Sequence, residues 1–208
     1  MLYTDPSGMD IWTINSSGQI TRKEKDDNHY LYFEDQYGNR TNQFIQLSSE
    51  EILASIQEKK KDDKSKDGRK VSMATSNKTD DVFKFFKFVA DHSDVEWVVH
   101  KNEDTYTIGT VYDPITSGSY DTYGLSKPDA SIHSHPGTSF SHELSSMGYG
   151  SNFAISDLKS VKWGQSPEYN YVYFPLSSNI YQVKMPKPIF IRKATNNRSF
   201  YWGVLNNR

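Results

Sequence analysis

The feature that constrains the fold most is one amphipathic helix followed by a series of strand-like segments. Its apolar residues recur at the spacing of one helical face: Val82, Phe85, Phe86 and Val89. Thr79 precedes them as an N-cap candidate. Downstream segments such as VEWVVHK, DTYTIGTVYD, YNYVYF and NIYQVKM alternate like strands, with a second helix predicted near Ser156-Asp157. This order predicts an α+β fold, three-layer-like, with a mixed central β-sheet flanked by helices.

The residues before this helix predict an N-terminal β-hairpin module. The segment DIWTINSSGQITRKEKD alternates polar and apolar residues around the turn signal Ser17-Gly18. The segment HYLYFEDQYGNRTNQFIQL repeats this arrangement, with Tyr37-Gly38-Asn39 at the bend. Two hairpins of this kind could form a small twisted sheet, which would bury little apolar surface by itself.

A short helix and a charged run follow the hairpins. Ser48 and Glu51 fit a capping box at the start of SSEEILASIQEKK, whose apolar residues mark one helical face. The run KKKDDKSKDGRK contains no apolar residue, which is typical of a solvated linker or helix tail. We therefore predict four segments: residues 1–10, a β-hairpin module plus helix over 11–60, a charged linker over 61–70, and a domain over 71–208.

Composition excludes several kinds of site. The chain of 208 residues has no cysteine, which rules out disulfides, cysteine nucleophiles and thiolate zinc sites such as those of zinc nucleobase deaminases. The net charge of −2 argues against nonspecific nucleic-acid binding. We expect no membrane span, because no apolar run reaches about 18 residues. The start, MLYTDPSGMD, lacks the pattern of a signal peptide.

His133 and His135 are the main candidates for a functional site. Alternate residues of a strand share one face, about 6.6 Å apart, so both imidazoles could converge on one ion while Ile132 faces the core. Pro136 cannot continue a ladder, so we expect the strand to end there and to expose the histidines at a sheet margin. Zinc needs a third protein ligand, for which Asp157 is our candidate. Spacing alone equally allows surface histidines and a helix-capping Ser-Asp pair.

HSHP followed downstream by SD at a helix start resembles the active-site segment of the JAMM (MPN-type) metallopeptidases. Their pattern is an upstream Glu followed by His-X-His-X7-Ser-X2-Asp. The resemblance implies a JAMM/cytidine-deaminase-like fold in which His133, His135 and Asp157 hold Zn2+. It also implies that Glu96, in DVEWVV, activates water and that a serine stabilises the oxyanion. The implied reaction is hydrolysis of a peptide or isopeptide bond, typically of a ubiquitin-like conjugate.

The sequence departs from this family pattern in two places. The stretch before Asp157 is longer by about 11 residues, and its polar SFSHELSSMGYGS is typical of an inserted loop. Ala154 occupies the position of the family's serine, so that Ser156 or Ser151 would take its role, and we choose Ser156. His142-Glu143 within the insertion lacks the second histidine of an HExxH motif, although either residue is a rival ligand.

The segment LYTDPSGMDIW resembles the end of the core of RHS-repeat proteins, which precedes a variable toxin domain, and the match covers about ten residues beginning at Tyr3. The resemblance implies a C-terminal effector domain of a larger bacterial polymorphic toxin. Such a domain would be secreted or delivered into a target cell, and its expected partner is a cognate immunity protein. An ordinary Asp-Pro-Ser-Gly turn is the alternative interpretation of this segment.

Three functions agree with these patterns. The leading one is a zinc-dependent peptidase or isopeptidase toxin of deubiquitinase-like activity. The second is a noncatalytic binding module of the same fold, which Ala154 would explain. The third is a metal-dependent nuclease toxin that uses the same two histidines, and the net charge of −2 disfavours it.

Overall fold

Two β-sheets and two α-helices form the part of the chain that the structure describes. The computed structural model describes residues 11–24, 29–60, 70–137, 169–183 and 189–193. The small sheet contains β1 (Ile11–Ile14), β2 (Ile20–Glu24), β3 (His29–Glu34) and β4 (Arg40–Leu47). The large sheet contains β5 (Gln57–Lys60), β6 (Lys70–Ser76), β7 (Val98–Asn102), β8 (Thr105–Thr110), β9 (Ala130–Ser134), β10 (Tyr169–Phe174), β11 (Asn179–Gln182) and β12 (Ile189–Lys193). The helices are α1 (Glu51–Ser55) and α2 (Thr79–His92). No described helix is long and apolar enough to cross a membrane.

The small sheet has the strand order β2-β1-β3-β4 and contains both predicted hairpins. Strands β1 and β2 pair antiparallel, as do β3 and β4, while β1 and β3 run parallel. Gly18 in the first turn has a φ of +77°, and a Cβ there would lie 2.5 Å from Cγ2 of Val95. Only glycine therefore lets this turn approach the segment after α2. The N-terminal β-hairpin module of the prediction is confirmed.

The large sheet is mixed, with the order β12-β11-β10-β9-β7-β8-β6-β5. Strands β9 and β10 are parallel, and β9 pairs antiparallel with β7 on its other side. Strand β9, which ends within the His-Ser-His sequence at Ser134, therefore lies inside the sheet with a hydrogen-bonded neighbour on each side. The predicted mixed central sheet is confirmed.

Helix α2 lies between the two sheets and supplies much of their shared core. The four residues predicted to form its apolar face are fully buried: Val82, Phe85, Phe86 and Val89. The same core includes Trp12 and Leu31 of the small sheet and Ile132 of the large sheet. Each such large apolar side chain contributes about 1.5–3 kcal/mol through burial. The described layers are sheet, helix and sheet, which agrees with the predicted three-layer-like α+β fold.

The predicted extent of the short helix in SSEEILASIQEKK is wrong. Helix α1 ends at Ser55, and Ile56 takes an extended backbone conformation as the C-cap residue. Residues Gln57–Lys60 then form β5, which pairs antiparallel with β6 at the edge of the large sheet. The apolar spacing of this segment does not show that the helix gives way to a strand after Ser55. Pairing with β6, which lies further along the chain, decides that residues Gln57–Lys60 are a strand. The division into four segments stays a prediction, and residues 61–69 lie outside the described part.

Both predicted helix caps are wrong. Lys78 is the N-cap residue of α2, and Thr79 is already its first helical residue. The N-cap residue of α1 is Glu50, which makes no side-chain capping bond. Ser48 instead binds the carboxylate of Asp81: its N–H donates to both oxygens at 2.9 and 3.0 Å, and its hydroxyl donates to Oδ2 at 2.6 Å. This contact ties the end of the small sheet to the first turn of α2.

We expect Asp81→Ala to lower the free energy of unfolding by about 2 kcal/mol. Asp81 is only 3% exposed, and its loss leaves two donors of Ser48 without their acceptor. The matched control is Asp80→Ala, because Asp80 is exposed in the same helical turn and its effect should stay below about 1 kcal/mol. Urea unfolding monitored by circular dichroism measures both. Equal effects of the two variants would contradict the role of Asp81.

A loop covers the face of the large sheet opposite α2. It contains the 3-10 helix Tyr120–Tyr123, and Tyr123 packs with Val71, Val98 and Val111. A Cβ on Gly109 would lie 2.5 Å from Cε1 of Tyr123, so glycine is needed where the ring rests on the strand. This loop, residues 111–125, is called the covering loop below.

Candidate metal centre

The two histidines lie at the end of strand β9 and on one face of the large sheet. The Nε2 atoms of His133 and His135 are 3.1 Å apart. Ile132 points to the opposite face and is fully buried in the core, as the alternation predicts. The strand ends at Ser134, and Pro136 follows two residues later. The expected exposure is wrong: His133 is buried and His135 is half-buried, because β9 has neighbours on both sides.

Glu96 joins the two histidines from a different part of the chain. It lies in the irregular segment between α2 and β7, two residues before the strand in whose context it was predicted. Its Oε1 is 3.7 Å from Nε2 of His135, and the residue is 5% exposed. One ligand atom from each of Glu96, His133 and His135 lies within 4.8 Å of the other two. The fold thus brings together three residues that sequence analysis selected.

The donor set fits a metal ion. Two imidazole nitrogens and a carboxylate are ligands that zinc accepts in proteins. Two nitrogens bound to one tetrahedral zinc ion at about 2.0–2.1 Å would lie about 3.3 Å apart, close to the observed 3.1 Å. A buried group of this composition could therefore hold a metal ion.

The remaining predicted site residues lie outside the described residues. These are the predicted ligand Asp157, the predicted catalytic Ser156, the alternative Ser151, and the rival ligands His142 and Glu143. The predicted helix start at Ser156 falls in the same range. Their roles accordingly stay predictions.

Ser134, between the two histidines, links them to the neighbour of Glu96. Its hydroxyl accepts the N–H of Trp97 at 3.0 Å, and its own N–H donates to the carbonyl oxygen of Trp97 at 2.9 Å. Ser134 is fully buried. Because Trp97 follows Glu96 directly, this pair of bonds sets the position of Glu96 along the chain relative to both histidines.

His100 is a buried residue near the cluster that sequence analysis did not select. It lies in β7 opposite Ser131 of β9, and within the described part of the chain neither of its buried ring nitrogens has a hydrogen-bond partner. Burial lowers the pKa of His100 from 6.5 to about 4, and the charge of His133 adds to this effect. The sequence pattern that could have identified His100 is the strand alternation, which puts Val98 and His100 on the face that carries His133.

Tyr123 of the covering loop is a second buried residue that sequence analysis missed. Its hydroxyl donates to the carbonyl oxygen of Ser117, and its ring meets that of His100 edge-on with centroids 5.7 Å apart. Burial raises the pKa of Tyr123, and the nearby carboxylate of Glu96 raises it further. The tyrosine therefore remains a neutral hydroxyl beside the cluster.

The fold and the cluster define an α+β domain with a buried Glu/His/His group that could hold a metal ion. In the family comparison, residues 74–162 match the model of the family described as JAB-like toxin 1. The match includes Glu96, His133 and His135 and supports a JAB-like toxin domain in this part of the chain. No curated protein and no solved structure matches the chain significantly. The predicted JAB-like character is thereby supported, whereas the resemblance of the N-terminal segment to RHS proteins stays a prediction.

Proposed function

We propose that this domain is a zinc-dependent hydrolase that cleaves a peptide or isopeptide bond and acts as a toxin. The observation that carries the proposal is the meeting of Glu96, His133 and His135 in one buried group. The match of the surrounding segment to JAB-like toxin 1 supports the toxin role.

His133 and His135 would hold the ion, with Asp157 as the proposed third ligand. A bound zinc ion supplies a Lewis acid for the carbonyl and lowers the pKa of water to about 7. This assignment leaves the carboxylate of Glu96 for proton transfer, in the role that the motif resemblance gives it.

Glu96 would take a proton from the attacking water and give it to the leaving amine. Its Oε1 is near Nε2 of His135, so the carboxylate lies beside the ligand group. The low exposure of Glu96 limits competition from bulk water for the carboxylate. Ser156 is the proposed donor to the oxyanion, because Ala154 stands where the motif has serine.

A toxin domain implies a target molecule and an immunity protein that protects the producing cell. We propose a protein substrate, such as a ubiquitin-like conjugate, and a cognate immunity protein as partners. We further propose that the domain is secreted or delivered into a target cell as part of a larger bacterial protein, which the RHS-like segment from Tyr3 supports.

The test of this function is a substrate panel with the zinc-loaded chain. A diubiquitin conjugate, a small ubiquitin amide and single-stranded and double-stranded nucleic acid are incubated in parallel, with and without a metal chelator. The proposal expects cleavage of an amide that the chelator stops and zinc restores. Cleavage of nucleic acid alone would favour the nuclease. Zinc binding without cleavage of any probe would favour the noncatalytic module, for which Ala154 is the supporting observation.

A further inference from the structure

Glu96 precedes strand β7 by two residues, and both of its main-chain groups are held by the same short turn. Its N–H donates to the carbonyl oxygen of Asp113 at 2.9 Å. Its carbonyl oxygen accepts the hydroxyl of Thr110 at 2.8 Å. Thr110 ends β8, and Asp113 follows it in the covering loop. The peptide groups on both sides of the Glu96 Cα are therefore fixed by residues 110–113.

The hydroxyl of Thr110 also holds this turn in shape. It accepts the N–H of Tyr112 at 3.0 Å while it donates to Glu96, so both its hydrogen-bonding roles are used. Tyr112 has a φ of +57°, in the left-handed region that non-glycine residues seldom adopt. The phenol of Tyr112 is fixed in turn by the hydroxyl of Ser72 at 2.6 Å. Thr110 itself is fully buried.

We propose that Thr110 is a positioning residue for Glu96. This inference rests on the proposed function, in which Glu96 transfers protons during amide hydrolysis. A general base must stay within hydrogen-bond reach of the proton that it takes, and small displacements are costly. Glu96 precedes strand β7, and the Thr110 hydroxyl takes the place of the main-chain donor that a ladder would offer to its carbonyl oxygen.

The test compares Thr110→Val with Thr110→Ser. Valine keeps the shape of threonine but removes the hydroxyl, whereas serine keeps the hydroxyl and removes the methyl group. The matched control is Thr107→Val, because Thr107 is buried in the same strand, and among the described residues its hydroxyl is not bonded to Glu96. Three quantities are measured: the amide hydrogen-exchange rate of Glu96 by NMR, zinc affinity by chelator competition, and kcat and KM on a diubiquitin conjugate.

Thr110→Val is expected to raise the exchange rate of the Glu96 amide about tenfold, because the turn that accepts this N–H opens more often. It should also lower kcat by about 10–100-fold, with unchanged KM and zinc affinity. Thr110→Ser should restore both kcat and amide protection, and Thr107→Val should leave them at the wild-type level.

An unchanged Glu96 exchange rate and unchanged kcat in Thr110→Val would overturn the positioning role. A loss of kcat in Thr110→Ser as large as that in Thr110→Val would also overturn it. If the valine variant fails to fold, a large loss of kcat in Thr110→Ser relative to the wild type overturns the positioning role in the same way. The exchange rate separates this inference from the proposed function. If the wild-type chain cleaves no amide, the proposed function fails, while faster Glu96 exchange in Thr110→Val still supports the holding of Glu96 by Thr110.

Discussion

Glu96→Gln should lower kcat for amide cleavage by about 10²–10⁴-fold while zinc still binds with wild-type affinity. The substitution keeps the size of the side chain and removes the group that accepts the proton. Because His133 and His135 are unchanged, and the proposed ligand set does not include Glu96, metal retention is expected. The measurement is kcat on a diubiquitin conjugate together with zinc affinity from chelator competition.

The control for this prediction is Glu51→Gln, at an exposed glutamate in the first turn of α1. It should leave both kcat and zinc affinity unchanged. Loss of zinc in Glu96→Gln would make Glu96 a metal ligand rather than a base. Full activity in the same variant would remove Glu96 from the reaction altogether.

The folding stability should fall as the pH drops from about 6.5 to 4, and His100 should account for about 3 kcal/mol of the loss. His100 has a folded-state pKa of about 4 against 6.5 when unfolded, so the unfolded chain binds an extra proton between these values. Stability is therefore fully present above pH 6.5 and is lost as the pH falls towards 4. Within the described part of the chain, the ring of Tyr123 meets His100 edge-on, and His133 on β9 adds to the lowering of its pKa.

The measurement is the free energy of unfolding in urea at pH 7 and pH 4, for the wild type and for His100→Phe. Phenylalanine fills a similar volume beside Tyr123 and cannot take up a proton. The difference between the two pH values should be about 3 kcal/mol smaller in His100→Phe. A chelator is present throughout, because acid also releases metal from histidines. An equal pH difference in both proteins would show that His100 does not titrate in this way.

Local patterns in the sequence predicted the elements whose partners are near in the chain. The turn at Gly18 and the bend at Gly38 gave both hairpins, since a turn and its flanking strands are adjacent residues. The spacing of Phe85 and Phe86 gave the buried face of α2. These predictions succeeded because turn chemistry and helical periodicity act over a few residues.

Long-range contacts decided the features that the sequence did not predict. Ser48 looked like a helix cap, but its donors bind Asp81, far along the chain. Gln57–Lys60 looked like the end of a helix but pairs with β6 across a charged run. The parallel contact between β1 and β3 also has no local signal. Each of these depends on contacts between residues that are far apart in the sequence.

The candidate site could be predicted only in part, because some of its contacts are local in the sequence and others are long-range. Strand alternation brought His133 and His135 to one face, and their closeness follows from their separation by one residue. Glu96 was selected by its resemblance to a motif, and its approach to His135 depends on the folding of the segment between α2 and β7. No sequence motif identified His100 or Tyr123. Their environment is formed by the covering loop and the strands beneath it, which are brought together only by the fold.

The most direct test of a zinc site at the histidine pair is the metal content of the purified chain. Wild-type protein, loaded with zinc and desalted, should contain about one zinc ion per chain by elemental analysis. His133→Ala should contain none, whereas His92→Ala, a substitution at the end of α2, should retain the wild-type amount. Wild-type protein without zinc after loading, or equal zinc in wild type and His133→Ala, would contradict a zinc site at the histidine pair.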